Sequence, residues 1–353
     1  MASRKVGIYH LTCFSMGTFP VLCTMNETDK PNVPSVRRLE ISPDYAGQRI
    51  DNFLITHLKG VPRSHLYRLL RRGEVRVNKG RIGPEYRLKA GDMLRIPPIR
   101  QGVEEDPALP GMGVLELVRG RIIHEDDDLL VLNKPAGLAV HGGSGLRFGA
   151  IEVLRALRPE DPHLELVHRL DRDTSGLLMI AKRRSALRRL HALLREGAVE
   201  KRYLVLVKGI WQGGKKNVDA PLLKNHLQSG ERMVRVDATG KAAVTRFTPL
   251  SDPPPQGGGR AYPGASLLEA LLVTGRTHQI RVHATYVGHP VAGDEKYGDP
   301  EFNRVVRSWG IHRLFLHAHR LKLEDEGRVL SLEAPLDETL QTVITALLSP
   351  SRR

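Results

Sequence analysis

Residues 164–181 read Leu-Glu-Leu-Val-His-Arg-Leu-Asp-Arg-Asp-Thr-Ser-Gly-Leu-Leu-Met-Ile-Ala. Two carboxylates, Asp171 and Asp173, sit among two guanidinium groups, Arg169 and Arg172. Leu164–Val167 on one side and Leu177–Ala181 on the other are apolar and strand-like, and Thr174-Ser175-Gly176 has the composition of a turn. Charged residues held between apolar strands are costly to order unless they are paired or put to use. The stretch is therefore either an arginine- and aspartate-rich surface turn or a carboxylate site carrying its own counter-ions.

Composition narrows the setting. A chain of 353 residues has room for two domains, since a domain takes about 100–200 residues. The hydrophobic content of 41% supports an ordinary globular core. No apolar run approaches the roughly 18 residues of a membrane span, so no membrane-spanning segment is expected, and no membrane is counted among the expected partners. Residues 7–25 are mildly apolar but broken by polar side chains and Pro20, and a signal peptide is not expected. Met16 and Met25 are candidates for alternative starts. The two cysteines, Cys13 and Cys23, offer neither a disulfide framework nor zinc spacing, which fits a reducing cytoplasm. The net charge of +15 points to polyanionic partners, nucleic acid first and an acidic membrane surface second. An aromatic content of 5% argues against binding single strands mainly by stacking.

The charge is concentrated near the beginning. From Val36 to Arg100, 15 basic residues stand against 6 acidic ones, a net of +9. Ile50, Phe53, Leu54 and Leu58 recur at helical spacing from Arg49 onward. Pro62 opens a second helix with Leu66, Leu69 and Leu70 on one face, and Gly73 closes it. Opposite them Arg68, Arg71 and Arg72 fall at i, i+3 and i+4 and form a cationic face. Val75-Arg76-Val77 alternates as a strand, Asn78-Lys79-Gly80 is turn chemistry, and Leu94–Ile96 is another strand. A cationic helix face alone is commonly just solvated. Here charge continues through Arg76, Lys79 and Arg81 to Arg87 and Lys89, so helix and hairpin are expected to share one phosphate-contacting surface. Two short helices followed by a hairpin, all basic, resemble the S4 RNA-binding fold over residues 47–97.

The remaining organisation is coarser. Residues 1–35 are expected to form a disordered tail, 36–98 the basic domain, 99–118 a Pro/Gly-containing linker and 119–348 a second domain. The second domain opens with the strand Leu129–Leu132, which runs into Asn133-Lys134-Pro135-Ala136-Gly137. A core-facing helix spans Ser185–Glu196, with Ser185 as N-cap and Gly197 at the stop. Strands are predicted at Lys201–Val207, Ala243–Thr248, Ser266–Val273 and Val329–Leu332, with Asp252–Gly264 as a surface loop. Many strands and few helices predict an α+β domain around a mixed, mostly antiparallel central sheet.

Three more blocks accompany the opening stretch: Glu200-Lys201-Arg202-Tyr203, Thr274-Gly275-Arg276-Thr277-His278-Gln279-Ile280-Arg281-Val282-His283, and Gly288-His289-Pro290-Val291-Ala292-Gly293-Asp294 continuing to Lys296-Tyr297-Gly298. Together with His168–Gly176, and in this order, they resemble the pseudouridine synthases of the RluA type. With the S4-like segment in front, the resemblance covers residues 47–345. It implies a small basic S4-like α/β RNA-binding domain followed by a pseudouridine-synthase catalytic domain. It also implies isomerisation of uridine within RNA: the N1–C1′ bond breaks, the uracil turns, and C5 bonds to C1′. Asp171 maps to the catalytic carboxylate, as nucleophile at C1′ or as the base of an elimination, and the sequence leaves both routes open. Arg281 maps to its arginine partner. An opposite charge so close keeps a shielded carboxylate ionised and also orients it. Tyr203 would stack on the target base and assist proton transfer. Arg169 would fill the gap left by the extruded uridine, whose flipping costs a few kcal/mol.

Asp173 is read as a turn-stabilising or arginine-pairing residue rather than the reacting one. RNA contacts are expected from Arg169, Arg68, Arg71, Arg72, Arg76 and Lys79. The substrate expected is large-subunit (23S) ribosomal RNA, with transfer RNA, or a binding role in ribosome assembly, as alternatives. A monomer is expected, with no cofactor, since atoms are neither gained nor lost and no redox change occurs. No metal is expected either: the pairs His317/His319 and His278/His283 lack a metal-binding setting. His141–Gly145 superficially resembles an esterase loop, but the chain has no nucleophile elbow. Gly209…Gly214-Lys215 is followed by Lys216 where a P-loop needs Ser or Thr, which excludes a nucleotidase reading.

Overall fold

The structure is a computed structural model that describes residues 35–58, 60–99, 110–143, 148–161, 163–226, 232–250, 264–325 and 327–348. Residues 1–34 of the tail expected at 1–35, and nearly all of the loop expected at Asp252–Gly264, lie outside the described residues. Two compact units emerge, one within Met1–Ile41 and Gln48–Gly102, the other from Ser42–Gly47 and Val103–Arg353.

In the first unit, helices α1 (Ile50–His57) and α2 (Arg63–Arg72) stand with strands β1 (Arg37–Glu40), β2 (Arg76–Val77), β3 (Gly80–Arg81) and β4 (Met93–Ile96), paired in the order β1-β4-β2-β3. Leu66, Leu69 and Leu70 turn α2 into the core beside Ile50, Phe53 and Leu54, while Arg68, Arg71 and Arg72 are exposed. Gly73 ends the helix in the left-handed conformation, φ +67°. Asn78 and Lys79, at φ 49° and 68°, make the two-residue reversal between β2 and β3, the geometry that matches strand twist in a hairpin. Arg76, Lys79 and Arg81 all stay exposed around this turn.

The second unit contains, in chain order, α3 (Met112–Arg119), β5 (Ile122–Glu125), β6 (Leu129–Lys134), α4 (Ala150–Leu157), β7 (Glu165–Leu166), β8 (Ser175–Ala181), α5 (Arg184–Glu196), β9 (Val199–Lys208) and β10 (Lys216–Asp219). There follow the hairpin β11 (Leu222–His226) and β12 (Arg232–Val236), then β13 (Val244–Pro249), β14 (Ala265–Leu272), α6 (Gln279–Tyr286), α7 (Pro300–Ser308), β15 (Leu316–Asp325), β16 (Arg328–Glu333) and α8 (Glu338–Leu348). The central sheet runs β10-β13-β14-β9-β15-β8-β6-β5, with β16 added to β15 and β7 to β8. Among the described residues every pairing in it is antiparallel except β15 with β8. This is the mixed, mostly antiparallel sheet predicted. Its apolar faces are covered by separate clusters: Leu130, Leu178, Val205 and Phe247 belong to one, Met179, Leu190 and Leu321 to a second, and Leu206, Phe302, Phe315 and Leu340 to a third. Among the described residues no helix is long and apolar enough to cross a membrane.

Four local expectations are corrected. Met112–Arg119, placed in a linker, is a helix whose Val118 is fully buried; Gly111 and Gly113 suggest a loop, but Leu115 and Val118 supply an apolar stripe that packs on the core. Helix α5 begins at Arg184 after Arg183, without a side-chain cap, so Ser185 lies inside its first turn. Ser42–Gly47 groups with the second unit, where Arg188 donates to the Ala46 carbonyl at 2.9 Å. Ser175 and Gly176 are strand rather than turn, because the reversal is completed earlier, where the Thr174 N–H donates to the Asp171 carbonyl at 3.2 Å.

Gly176 is where the parallel pair is closest. Its φ is +107°, and a Cβ there would stand 2.2 Å from the Ala318 carbonyl oxygen. Neither backbone can yield inside a sheet buried on both sides. Gly176→Ala is expected to destabilise the second unit by about 3 kcal/mol or more. Gly113→Ala, which meets nothing within 4 Å, should leave stability unchanged or raise it by up to about 1 kcal/mol. Both tryptophans, Trp211 and Trp309, lie in this unit, so urea unfolding followed by their fluorescence reads the comparison directly.

Candidate active site

The reversal after β7 presents Asp171 at the mouth of a cleft of about 1510 Å³. Three anchors hold it there. Leu170 is buried in the core on one side and Thr174 on the other. Below them the Lys134 side chain is fully buried at the end of β6, and its ammonium donates to the carbonyls of Pro135 (2.9 Å), Leu138 (2.8 Å) and Arg172 (2.9 Å). All three ammonium hydrogens are thereby used, tying the 135–138 loop to the 171–174 turn. Burial lowers the Lys134 pKa to about 7, against the opposing pull of Asp173 and Asp171.

Arg281 reaches Asp171 from α6. Its Nη1 donates to Asp171 Oδ2 at 3.2 Å, while Nε and Nη2 form a two-pronged pair with Asp294 at 2.7 Å each. The Arg281 side chain is 9% exposed and that of Asp294 0%. Burial disfavours the guanidinium charge, but the Asp294 and Asp171 carboxylates outweigh it and hold its pKa above the usual value. Burial likewise disfavours the Asp294 carboxylate; Arg281 and the Lys296 and Tyr297 backbone N–H groups outweigh that and lower its pKa. Asp173 pairs instead with its neighbour Arg172 at 3.2 Å, at the surface.

Tyr203, on β9 opposite Ala270 and Ala318, is buried and lines the same cleft. Burial raises its phenol pKa, and the Asp171 charge adds to the effect, so it remains a neutral phenol. Arg169 is exposed at the cleft wall. The structure therefore brings together Asp171, Arg281, Tyr203 and Arg169. Arg68, Arg71, Arg72, Arg76 and Lys79 belong to the other unit.

Sequence reasoning missed several side chains. Asp294 and Lys134 were quoted only as parts of blocks, and both prove to be buried charges that hold the site. His278, at 3.8 Å from Asp171 through Nε2, and Tyr297, bonded to His278 Nδ1 at 2.8 Å, also had no role. Their spacing in the Thr274–His283 and Gly288–Gly298 blocks was the available signal. Of the histidines weighed as metal pairs, His283 is bound by Thr245 and the Ala220 carbonyl and His317 by Ser175. Among the described residues no group of three or more His, Cys, Asp or Glu side chains is placed to hold a metal ion.

A family profile for RNA pseudouridylate synthase matches residues 128–286, and one for the S4 domain matches residues 48–94. The chain is 56% identical over 323 residues to ribosomal large subunit pseudouridine synthase C of Escherichia coli (strain K12), covering 90% of this chain and 98% of that one. The protein of the same name from Haemophilus influenzae is 53% identical over 316 residues, covering 89% and 95%. The family resemblance read from the sequence over residues 47–345 is borne out, and segments Gly60–Arg100 and Val167–Ala186 lie within the similarity to synthase C. Among solved structures, human RNA pseudouridylate synthase domain containing 4 aligns with a TM-score of 0.53 at 26% identity, covering 67% of this chain and 95% of that one.

The buried His317 carries a pH dependence. Ser175 Oγ donates to its Nδ1 at 2.8 Å, leaving Nε2–H facing the Ala334 carbonyl. Burial lowers its pKa from 6.5 to about 4. The unfolded chain takes up this proton from about pH 6.5 downward and the folded one only near pH 4. Stability is therefore present above 6.5 and lost as pH falls toward 4, by about 3 kcal/mol. Unfolding free energies measured at pH 7.5 and 4.5 should fall less steeply in His317→Asn than in the wild type; equal slopes would remove this residue from the acid response.

Proposed function

Because the chain belongs to the RNA pseudouridylate synthase family, we propose that it isomerises specific uridines of large-subunit (23S) ribosomal RNA to pseudouridine, with Asp171 as nucleophile or base. The observation that carries this reading is the ion pair of Asp171 with a buried arginine, at the mouth of a cleft wide enough for an extruded nucleotide. The substrate assignment is supported by the synthase C relatives and by the S4 domain ahead of the synthase domain.

The chemistry asks little beyond these residues. A uridine leaving its stack costs a few kcal/mol, and the exposed Arg169 is placed to occupy the vacated space. Tyr203 offers a flat ring on which the uracil stacks while it detaches, turns and rebonds through C5, and its raised pKa keeps the hydroxyl protonated as a donor. Arg281 holds the Asp171 carboxylate aimed into the cleft, where it attacks C1′ or removes the proton that starts elimination. Product and substrate have the same atoms and oxidation level, so the balance of the reaction calls for no cofactor; the same reading takes the protein to be a cytoplasmic monomer. The exposed Arg68, Arg71, Arg72, Arg76 and Lys79 contact phosphates and set position on the RNA without reading its sequence.

Asp171→Asn should retain the fold, because Arg281 keeps its two bonds to Asp294. Pseudouridine formation on 23S RNA should fall by on the order of 10⁴-fold or more, with RNA affinity nearly unchanged; an Asn variant that still modifies RNA would remove Asp171 from the chemistry. Replacing Arg68, Arg71 and Arg72 together by Ala should weaken binding to RNAs of any sequence and reduce the slope of log affinity against log salt by about 2. Filter binding across a salt series measures this, and an unchanged slope would take α2 out of the interface.

A further inference from the structure

Arg281 addresses only one oxygen of Asp171. The other, Oδ1, faces His278 Nε2 at 3.8 Å, and the surroundings of this ring are built rather than incidental. His278 stands immediately before α6 in the left-handed region, φ 52° and ψ 21°, a conformation uncommon outside glycine that is kept where the surroundings demand it. Its side chain is only 18% exposed. The ring meets Tyr297 edge-on, with centroids 5.4 Å apart.

The tautomer is set by a chain of bonds. The Val234 N–H, on β12, donates to the Tyr297 hydroxyl oxygen at 3.0 Å. The phenol proton is then directed to His278 Nδ1 at 2.8 Å, which leaves the ring proton on Nε2. A carboxylate in front of Nε2 selects the same tautomer. Tyr297 is itself fixed: the Arg281 guanidinium lies 5.0 Å from its ring centroid, and Thr285 Oγ1 donates to its carbonyl at 2.8 Å. A chain of bonds thus runs from the β12 backbone through Tyr297 to His278, whose Nε2 faces Asp171.

We propose that His278 is a positioning residue for Asp171, presenting Nε2–H to Oδ1 while Arg281 binds Oδ2. This rests on Asp171 being the reacting carboxylate. A carboxylate held through one oxygen alone still pivots about its last side-chain bond; held through both, it keeps one aim. A separation of 3.8 Å exceeds a hydrogen bond, but contacts around a reacting group are commonly loose before substrate binds and tighten in its complex. Tyr297 acts one step further back, by fixing which ring nitrogen carries the proton.

The test uses two amides that differ in reach. In His278→Asn the amide sits near the Nδ1 position, so it tolerates the left-handed backbone and meets Tyr297 but leaves nothing opposite Asp171. In His278→Gln an amide N–H stands near the Nε2 position. The full-length variants, with Tyr297→Phe and Asp171→Asn, are compared in single-turnover release of tritium from 23S RNA transcribed with C5-tritiated uridine, alongside RNA affinity and melting temperature. The Asn variant should lose about 10- to 100-fold in rate with affinity unchanged within about twofold, Tyr297→Phe should fall in the same direction, and Gln should restore most of the rate. Two results overturn the proposal while Asp171→Asn is silent: wild-type rate in His278→Asn, or equal impairment of Asn and Gln at equal melting temperature. An active Asp171→Asn variant would instead overturn the reading of the site itself, and the proposal with it.

Discussion

A guanidinium removed from water must be matched nearly bond for bond, and Arg281 is matched by two carboxylates. Burying such an ion without partners costs several kcal/mol. Asp294, itself fully buried, takes two of its N–H groups in the geometry that suits a fork meeting a carboxylate. Only the remaining prong is offered to Asp171. Division of labour follows: the inner pair carries the structural charge balance, and the outer contact is free to serve a reacting group without the fold depending on it. Asp294 is secured in turn by the Lys296 and Tyr297 amides, while Asn303 binds its carbonyl and the Gly293 amide. Helix α6, the 291–298 loop and the 171–174 turn thereby become one unit.

The second buried charge, Lys134, works differently. Among the described residues no carboxylate pairs with it; it meets three carbonyls, which match the three N–H groups of the charged ammonium, one more than a neutral amine can offer. Burial lowers its pKa to about 7, while the three carbonyls favour the protonated form that can bond to all of them. Around the cleft, then, one buried cation is locked in the charged state by carboxylates and the other serves chiefly as a three-way clip. Tyr203 adds a neutral aromatic wall to the cleft.

The sequence displayed much of this unequally. The amphipathic helix α2 and the alternation of Arg76–Val77 were legible because each records its burial locally, at a period of a few residues. Asp171 and Arg281 were legible as members of blocks, although 110 positions apart. What local pattern does not encode is which charges meet. Asp294 looked like any acidic loop residue, and Lys134 like a surface lysine beside a proline. The start of β8 was misread for a related reason: Ser175-Gly176 has turn composition, but the glycine is there to admit the Ala318 carbonyl, a neighbour 142 residues away. Helix α3 was hidden by its glycines, since only the surface it packs against makes Leu115 and Val118 a stripe.

The position of β15 in the sheet bears on how the enzyme comes into being on the ribosome. This strand, Leu316–Asp325, lies between β9 and β8 and contributes the Ala318 backbone against which the base of the Asp171 turn is set. A nascent chain that has already displayed Asp171, Tyr203 and Arg281 still has an open gap in the middle of its sheet. Contacts of such sequence separation are the last to repay their loop-closure cost. The sheet that carries Tyr203 on one side of this gap and the Asp171 turn on the other is therefore completed only once the chain as far as β15 is in place.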